Sequence, residues 1–320
     1  MTITARAARL VAHGEALRVE QVELADPGEG EALVELAYAG VNPVDRYQVL
    51  GRVAAELPLP RTPGSEASGI VRTGTAERPV LANRGALAGA GDGLFATHAV
   101  VRADRLVEVP EGVGLDLAAA MGVAGTTAWR CVTELAEVAA DDRVLVLGAS
   151  GGVGSIVVSA CHRIGAEIVG HCGAAAKVPF VAARGADRVM TGDAAALRDG
   201  LAGFRPTAVF DPLGGPFTGV AVEAMAERGR LVLFGTSAEP TGVLPLQLLY
   251  RKGLRVLGYG GLIEPPEALA RGMRDSLAAL RDGRLEVVVD DVLGLDEVNE
   301  ALDRLARREV EGKLLLDLRH

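Results

Sequence analysis

The chain has 320 residues and a formal net charge of −9, and 49% of its residues are hydrophobic whereas only 3% are aromatic. This balance excludes a disordered chain, and the interspersed acids and bases argue against a general nucleic-acid-binding protein, which needs a basic face. No segment approaches the roughly 18 uninterrupted apolar residues of a membrane span, and the three scattered cysteines, Cys131, Cys161 and Cys172, are too few for a disulfide framework or a zinc motif.

The amino-terminal third of the chain predicts a β-rich domain. Its start has no apolar core followed by a cleavage site, so we expect no signal peptide and a cytoplasmic protein. Apolar or alternating stretches such as EALVELAYAG, at residues 31–40, predict strands up to about residue 110, with polar or Pro/Gly-rich turns between them. The first long helical pattern covers residues 115–138.

From residue 143 onward, apolar strand patterns alternate with amphipathic helical patterns. This alternation is typical of a parallel sheet covered by helices on both faces, which is the doubly wound α/β class. A long helix at residues 264–285 then precedes a strand–helix–strand tail. We expect this tail to pack on the first domain.

A glycine-rich turn joins the strand RVLVLG, at residues 143–148, to the following helix. Such a turn points the unpaired N–H groups and the positive dipole of the helix N-terminus at a pyrophosphate. Glycines alone can also serve to make a tight turn, but the strand before it and the series of strands and helices after it favour a dinucleotide. The predicted cofactor-binding residues of this Rossmann fingerprint are Ala149, Ser150, Gly151, Gly152, Val153 and Gly154.

The end of the second strand of this series indicates which dinucleotide binds. A carboxylate at that place would hold the ribose hydroxyls of NADH and repel a 2′-phosphate. The chain has His171, Cys172 and Gly173 there, followed by Lys177, which can attract the phosphate. We therefore predict NADPH rather than NADH, with Gly173 and Lys177 in the site. The alternative for Lys177 is a solvated lysine on a helix.

Seven motifs distributed over nearly the whole chain resemble those of a known family, the medium-chain dehydrogenase/reductases. Within it the chain is most similar to the zinc-free quinone oxidoreductase, or zeta-crystallin-like, branch. The motifs are AGVNPVDRY (39–47), TPGSEASGIV (62–71), AAAMGVAGTTAW (118–129), LVLGASGGVG (145–154), VFDPLGG (209–215), GRLVLFG (229–235) and GKLLLDL (312–318).

The resemblance implies a fold with two domains and the cofactor in a cleft. Residues 1–120 and 261–320 would form a β-rich, GroES-like catalytic domain, and residues 121–260 would form the Rossmann nucleotide-binding domain. Members of this family commonly form dimers by pairing the edges of their nucleotide-domain sheets. The resemblance therefore implies a homodimer that uses the strand near LRVLGYG, at residues 254–260.

The chain departs from the family's zinc-dependent members at two positions. Those members carry a cysteine where this chain has Asn42 and a histidine where it has Ser65. Thiolate and imidazole are the ligands that zinc prefers, so we expect no zinc. A further departure is the segment at residues 72–93, which is short and lacks the usual strand signature, and its role stays open.

Three residues of the motif AGVNPVDRY are the catalytic candidates. Asn42 matches the position whose amide faces nicotinamide and substrate in the family, although an asparagine before Pro43 can also simply start a turn. Tyr47 can donate a proton or hydrogen bond to a developing enolate, or pack on a helix face. Asp45 can orient either neighbour, or act as an acid at a helix N-terminus.

The remaining cofactor candidates follow strands or lie in family motifs. The carboxyl edge of a parallel sheet is where ligands bind in open α/β folds. Asp211, at another strand end, can bind the cofactor or fix a loop. By resemblance or by position, the predicted cofactor-binding set also includes Thr127, Phe234, Gly235, Thr236, Tyr259 and Lys313.

Together these features predict an NADPH-dependent, zinc-independent reductase. Because no metal and no acid–base pair are evident, the protein can align a hydride donor with an electrophile that is already activated, such as a quinone or an α,β-unsaturated carbonyl. One alternative is an enoyl-CoA or enoyl-thioester reductase, which needs basic residues such as Arg46, Arg52 or Arg251 for its carrier. Another is a non-catalytic NADPH-binding protein with a structural or regulatory role.

Overall fold

A computed structural model of the chain describes residues 3–53, 55–73, 75–83 and 92–319. The chain divides into two compact units. The first contains the described residues up to Thr126, together with Gly261–Arg281 and the chain from Val289, and the second contains Thr127–Gly260 and Asp282–Val288. This division differs from the predicted one in two places, because residues 121–126 belong to the first unit and residues 282–288 to the second.

Strands predominate in the first part of the chain, and strands alternate with helices in the second. The first part comprises β1 (Ile3–Arg9), β2 (Arg18–Leu24), β3 (Glu31–Val41), α1 (Pro43–Val49), β4 (Glu66–Thr73), β5 (Ala76–Asn83), β6 (His98–Arg102), β7 (Leu106–Glu108), α2 (Leu115–Ala119) and α3 (Thr126–Arg130). The second comprises β8 (Arg143–Val146), α4 (Gly152–Ile164), β9 (Glu167–Cys172), α5 (Val178–Ala183), β10 (Arg188–Thr191), α6 (Ala194–Gly200), β11 (Ala208–Asp211), α7 (Gly215–Ala224), β12 (Arg230–Leu233), α8 (Leu246–Lys252), β13 (Arg255–Gly258), α9 (Pro266–Arg281), β14 (Val289–Gly294), α10 (Val298–Ala306) and β15 (Lys313–Asp317). None of the helices formed by the described residues has the length and apolar character that a membrane crossing requires.

The first unit is built around a seven-stranded sheet of order β14–β15–β3–β4–β5–β7, with β6 also paired to β3. β3 buries Val34, Leu36 and Ala39 in a core that β15 and α10 help to close. The antiparallel register sets Gly40 opposite Glu66 and Val41 opposite Leu314. These pairings bring the end of β3 to the starts of β4 and β15, although the three segments are far apart in the sequence.

The segment at residues 115–138, predicted as one helical stretch, is interrupted by two π-helical turns. The first, Met121–Gly125, separates α2 from α3, and the second, Cys131–Leu135, follows α3. In the first turn the N–H of Val123 donates to a carboxylate oxygen of Glu66, at 2.6 Å. A Cβ at Gly122 would come within 2.9 Å of the Glu66 side chain, so this turn is shaped around Glu66.

The second unit contains a six-stranded sheet of order β10–β9–β8–β11–β12–β13 in which every pairing is parallel. This is the strand order of a Rossmann fold, with the direction of winding reversed between β8 and β11. Continuous burial of Val144, Leu145 and Val146 in β8 agrees with a sheet covered on both faces. The predicted fold class, a doubly wound α/β domain plus a β-rich domain, is confirmed.

Candidate functional site

The predicted dinucleotide-binding turn lies between β8 and α4 in the second unit. The chain leaves the sheet through Gly148, whose φ of +60° is readily adopted only by glycine. The N–H of Ala149 donates to the carbonyl oxygen of His171 at 2.8 Å, which ties the turn to the end of β9. Gly151 is the residue that precedes α4, a helix of 13 residues. Its first N–H groups have no partners within the helix and can bind an anion.

Two glycines of this turn are present for different physical reasons. A Cβ at Gly154 would overlap the carbonyl oxygen of Gly148, so the packing of α4 on the turn requires glycine there. At Gly151 the backbone is extended, and a Cβ would lie 3.5 Å from the same oxygen, an ordinary contact. A Cβ at Gly173, after β9, would meet nothing within 4 Å. The packing of the protein therefore does not require glycine at 151 or 173, which leaves room for a ligand to approach the backbone.

This difference predicts opposite effects for two substitutions. We expect Gly154→Ala to lower the free energy of unfolding by about 1–3 kcal/mol, because its methyl group has no space. We expect Gly151→Ala to leave stability unchanged and to weaken dinucleotide binding about tenfold or more. Urea denaturation and cofactor fluorescence titration measure the two quantities. Gly294→Ala, whose Cβ would also make an ordinary contact at 3.5 Å, is the matched control and should change neither.

The other predicted cofactor residues of this unit follow the carboxyl ends of neighbouring parallel strands. Phe234, Gly235 and Thr236 come directly after β12, and the Phe234 N–H donates to the Asp211 carbonyl oxygen at 3.1 Å. Tyr259 follows β13, and its ring lies 5.5 Å from the Arg130 guanidinium. Thr127 is half-buried in α3 rather than at a strand end. The structure thus places the strand-end candidates at the same edge of the sheet as the glycine turn.

Asp211 has a structural role in the described fold. One of its carboxylate oxygens accepts the N–H groups of Leu213 and Gly214, at 2.8 and 3.0 Å, and the other accepts the Thr218 hydroxyl. The side chain is fully buried. Of the two alternatives from the sequence, the structure therefore shows Asp211 fixing the loop before α7.

The end of β9 carries the residues that bear on cofactor choice. His171 is buried, and burial lowers its pKa below the ordinary value, so it contributes no positive charge at neutral pH. Its Nε2 lies 2.9 Å from the Gly192 carbonyl oxygen. Glu167, at the other end of the strand, pairs with Arg143 at 3.0 Å. Lys177 is half-buried in a short 3₁₀ turn after Gly173.

In the first unit, five polar residues form a buried group around Glu66, which we call the Glu66 cluster: Asn42, Asp45, Ser65, Glu66 and Lys313. Glu66 is fully buried, and each of its oxygens is satisfied. Oε1 accepts the Asn42 amide and the Lys313 ammonium, both at 2.7 Å, and Oε2 accepts the Val123 N–H. Gly40 adjoins it, since a Cβ there would overlap the Glu66 carboxylate.

Lys313, predicted to bind the cofactor, directs its ammonium into this cluster. Besides Glu66, it donates to Asn42 Oδ1 at 2.7 Å and to the Val41 carbonyl oxygen at 3.3 Å. The side chain is only 3% exposed. An ammonium has three N–H donors, and in Lys313 all three have acceptors within the protein. The ammonium therefore has no donor left for a cofactor in this state.

The Asn42 amide is fixed by the same contacts. Its oxygen accepts from Lys313, and its nitrogen donates to Glu66 and, at 3.3 Å, to the Gly40 carbonyl oxygen. Both amide N–H groups are thus engaged within the protein. Asn42 also directly precedes α1, as the turn alternative predicted. To donate directly to an enolate, the Asn42 amide would first have to break one of its hydrogen bonds to Glu66 or Gly40.

Asp45 contacts both Asn42 and Ser65 at the start of α1. It lies in the first turn of α1, and its carboxylate accepts the Asn42 backbone N–H at 2.8 Å and the Ser65 hydroxyl at 2.6 Å. Burial raises the pKa of Asp45 to about 7, against the smaller lowering effect of its hydrogen bond to Ser65. Repulsion from Glu66 adds to the increase in pKa, and the Lys313 charge opposes it. Asp45 thus exchanges a proton near neutral pH.

Tyr47 lies one helical turn after Pro43 on α1 and is half-buried. Its carbonyl oxygen accepts the Arg52 N–H at 2.9 Å, which closes the end of the helix. Asn42 uses both of its amide donors within the protein, and Asp45 is fully buried against Asn42 and Ser65. Of the three catalytic candidates, Tyr47 is therefore the one whose side chain is partly exposed.

Glu66, which follows the altered zinc position at Ser65, is not among the residues predicted for the site. A signal was available, because a single carboxylate within the otherwise apolar and small strand EASGIV requires a buried partner. The partner, Lys313, is 247 positions away, so spacing alone does not identify it. In the described ranges, which leave out residues 1–2, 54, 74, 84–91 and 320, no three His, Cys, Asp or Glu side chains cluster as a metal site requires. Much of the short 72–93 segment, namely residues 74 and 84–91, lies outside the described residues.

Comparisons with known proteins identify the family. The model for the "Alcohol dehydrogenase GroES-like domain" matches residues 28–111, and the model for "Zinc-binding dehydrogenase" matches residues 152–271, which together are more than half of the chain. These two matches correspond to the β-rich unit and to the unit with the Rossmann sheet.

Three full-length relatives show similar coverage. Prostaglandin reductase-3 of Bos taurus is 29% identical over 314 residues, which are 91% of this chain and 82% of the relative. Probable acrylyl-CoA reductase AcuI of Escherichia coli strain K12 is 27% identical over 305 residues, or 90% and 91% of the two chains. Quinone oxidoreductase-like protein 2 of Mus musculus is 27% identical over 323 residues, or 98% and 92%. The chain therefore belongs to the medium-chain dehydrogenase/reductase superfamily, in its quinone oxidoreductase-like branch, and is an oxidoreductase.

Proposed function

We propose that this protein is an NADPH-dependent reductase that transfers hydride to an activated acceptor, a quinone or an α,β-unsaturated carbonyl compound. The observation that carries the proposal is the glycine turn after β8, where Gly151 leaves space that the fold itself does not need. The names of the relatives, a prostaglandin reductase and a quinone oxidoreductase-like protein, support the class of acceptor.

The residues at the carboxyl edge of the Rossmann sheet fit a dinucleotide. The N–H groups at the start of α4 would bind its pyrophosphate, and Gly151 and Gly173 would allow close approach of the backbone. When bound, the nicotinamide cofactor supplies the hydride. Phe234, Thr236 and Thr127 are proposed to orient it.

The first unit would supply the groups that respond to the charge formed on the acceptor. Hydride addition at the carbon β to a carbonyl leaves an enolate, which needs a proton and a hydrogen-bond donor. We propose Tyr47 for this role, because its side chain is partly exposed, whereas Asn42 and Asp45 are buried and hydrogen-bonded within the protein. Asp45 holds the backbone of Asn42 at the start of the helix that carries Tyr47.

We propose NADPH rather than NADH because β9 ends without a carboxylate. Lys177 follows the strand end, and we propose its ammonium as the group that contacts a 2′-phosphate, rather than the buried His171, whose pKa is lowered by burial. We expect Lys177→Ala to raise the Michaelis constant for NADPH about tenfold and to leave that for NADH nearly unchanged. Lys252→Ala, at the end of α8, is the matched control. An equal effect on both cofactors would contradict the assignment.

We also propose that the reaction proceeds without zinc, although one matching family model is described as zinc-binding. The residues at the corresponding positions do not suit that metal. Asn42 and Ser65 replace the soft ligands, and the Lys313 ammonium lies 2.7 Å from both the Asn42 oxygen and Glu66. A second cation at this place would meet strong repulsion.

A second candidate function is the reduction of an enoyl thioester. The similarity to an acrylyl-CoA reductase along 90% of the chain favours it. A phosphate-bearing carrier requires cations near the acceptor, and two of the predicted arginines are close in sequence to Tyr47. Arg46 lies on α1, and Arg52 follows it with its backbone bonded to Tyr47. The structure gives no comparable link for the third, Arg251, which lies on α8.

The experiment that tests the proposal is anaerobic oxidation of NADPH with a panel of acceptors: 1,4-benzoquinone, 9,10-phenanthrenequinone, an aliphatic enone and crotonyl-CoA. NADH is run in parallel, and Gly151→Ala serves as the variant with an impaired cofactor site. Turnover of quinones or the enone with NADPH supports the proposal. Turnover confined to crotonyl-CoA replaces it with the thioester function. Cofactor binding without turnover of any acceptor supports the non-catalytic alternative.

We further propose a homodimer joined through the edge of the Rossmann sheet. Strands of parallel sheets are normally buried, yet Val256 on the edge strand β13 is 39% exposed. Three further apolar or aromatic side chains that precede it within 13 positions are at least 70% exposed: Val243, Leu246 and Tyr250. Sedimentation equilibrium should give twice the mass of one chain, and Val256→Lys should lower the measured mass to that of a monomer.

A cytoplasmic location of the protein also stays a prediction.

A further inference from the structure

Lys313 has an unusual position for a residue near the carboxyl end of the chain. It begins β15, and its ammonium is buried among residues of the amino-terminal third, 2.7 Å from Glu66 and from Asn42. A buried cation is costly to desolvate, and it is tolerated only where each of its donors has a partner. All three donors of the Lys313 ammonium have partners, so the fold provides a complete binding site for this buried cation.

The contact fixes the orientation of the Asn42 amide. The amide oxygen faces the ammonium and the amide nitrogen faces the Glu66 carboxylate. A flipped amide would set its nitrogen against the cation and its oxygen against the anion, which is unfavourable at both ends. Lys313 and Glu66 thus hold the Asn42 amide in one orientation.

The orientation of Asn42 in turn determines where α1 begins. Its backbone N–H donates to Asp45 Oδ2, and its carbonyl oxygen accepts the Asp45 N–H at 3.0 Å. These are the first contacts of α1, and Tyr47 lies on the next turn of the same helix. Asn42 and Tyr47 are thus connected through the first turn of α1.

We propose that Lys313 is a positioning residue, whose buried ammonium acts through Glu66 and Asn42 to set the place of the Tyr47 hydroxyl without touching cofactor or substrate. The expected effect on turnover rests on the proposed reductase function, in which the Tyr47 hydroxyl donates to the enolate. The structural link from Lys313 to Tyr47 does not rest on that function.

Three substitutions test the link. Lys313→Met removes the ammonium and keeps the length of the side chain. Asn42→Ala breaks the link but leaves the Lys313–Glu66 ion pair, so it stays informative if the first variant does not fold. Lys252→Met is the matched control, because that ammonium donates to the backbone oxygens of Glu223 and Met225, which belong to the other unit.

Three measurements are made on each variant. Fluorescence titration gives the dissociation constant for NADPH, and steady-state kinetics with the best acceptor of the panel gives kcat. Because the chain has only four tyrosines, ¹³C-labelled tyrosine gives four ring resonances, of which Tyr47→Phe identifies that of Tyr47. This resonance reports the surroundings of Tyr47 whether or not the protein turns over.

We expect Lys313→Met and Asn42→Ala to lower kcat about tenfold or more, since small displacements of a reacting group have large effects on rate. The Tyr47 resonance should shift in both, and the dissociation constant for NADPH should stay within about twofold of the original. Lys252→Met should change none of the three.

Two results would overturn the proposal. A tenfold rise in the dissociation constant for NADPH with an unmoved Tyr47 resonance would show that Lys313 contacts the cofactor. An unmoved resonance with unchanged kcat would show that the ion pair serves the fold alone. If the unsubstituted protein reduces no acceptor, the reductase function fails, and the resonance and NADPH titration still decide whether Lys313 positions Tyr47.

Discussion

Replacement of Lys313 by methionine is expected to lower the free energy of unfolding by about 3–5 kcal/mol, because it leaves the fully buried Glu66 carboxylate without its counter-charge. Two hydrogen bonds to Glu66 would persist, from the Asn42 amide and the Val123 N–H, and they do not neutralise the charge. Urea denaturation at pH 7.5, followed by circular dichroism, measures the loss.

The double variant Lys313→Met/Glu66→Gln separates the lost charge from lost packing. It removes both charges at once, so it should recover at least half of the stability lost in the single variant. Arg307→Met, which removes an exposed guanidinium from its pairs with Glu300 and Glu309, should leave the denaturation midpoint almost unchanged. Equal losses in the single and double variants would show that packing, and not charge, is responsible.

The second large effect is expected at Asp45, where asparagine should abolish a dependence of stability on pH. The carboxyl group has a pKa of about 7 in the folded chain and of about 3.8 as a free side chain. Between these values the unfolded chain has released the proton and the folded chain still holds it. The free energy of unfolding therefore falls as the pH rises from about 4 to about 7, by up to about 4 kcal/mol in total.

Asparagine resembles the protonated acid and keeps partners for Ser65 and for the Asn42 N–H. We expect Asp45→Asn to match the original protein near pH 4 and to be more stable by about 1–4 kcal/mol at pH 8. Urea denaturation at half-unit steps from pH 4 to pH 8.5 gives both curves. Asp275→Asn, at an exposed position on α9, is the control and should reproduce the original curve. Parallel curves for the original protein and Asp45→Asn would contradict a raised pKa.

The fold of the second unit could be predicted from the sequence because its signals are local. Each strand is a short apolar run, and the glycine turn marks the start of the series, from which the parallel sheet follows. The two π-helical turns between residues 121 and 135 could not be predicted in this way. Apolar periodicity does not distinguish i→i+4 from i→i+5 hydrogen bonds, and the cause of the first turn, Glu66, lies in a distant strand.

The parts of the candidate site that lie within one local sequence motif could be predicted. The motif AGVNPVDRY supplied Asn42, Asp45 and Tyr47, and the structure groups the first two around Glu66. It did not indicate that the Asn42 donors are already used, nor that Lys313 serves Glu66. Both facts depend on the register of β3 with β4 and β15, which is determined by the packing of the whole sheet.

The first unit is assembled from segments at both ends of the chain, and this has a consequence for protein synthesis. A ribosome completes residues 127–260 of the second unit well before it reaches Lys313, so most of the Rossmann sheet can fold while the rest of the chain is still being made. Glu66 and Asn42 emerge well before β15, since Lys313 follows Glu66 by 247 residues. Until β15 is made, burial of the Glu66 carboxylate in the unfinished sheet is unfavourable, because the Lys313 ammonium is missing. Premature termination just before Lys313 would therefore yield a chain in which most of the second unit is folded and the first unit stays open to quality-control proteases.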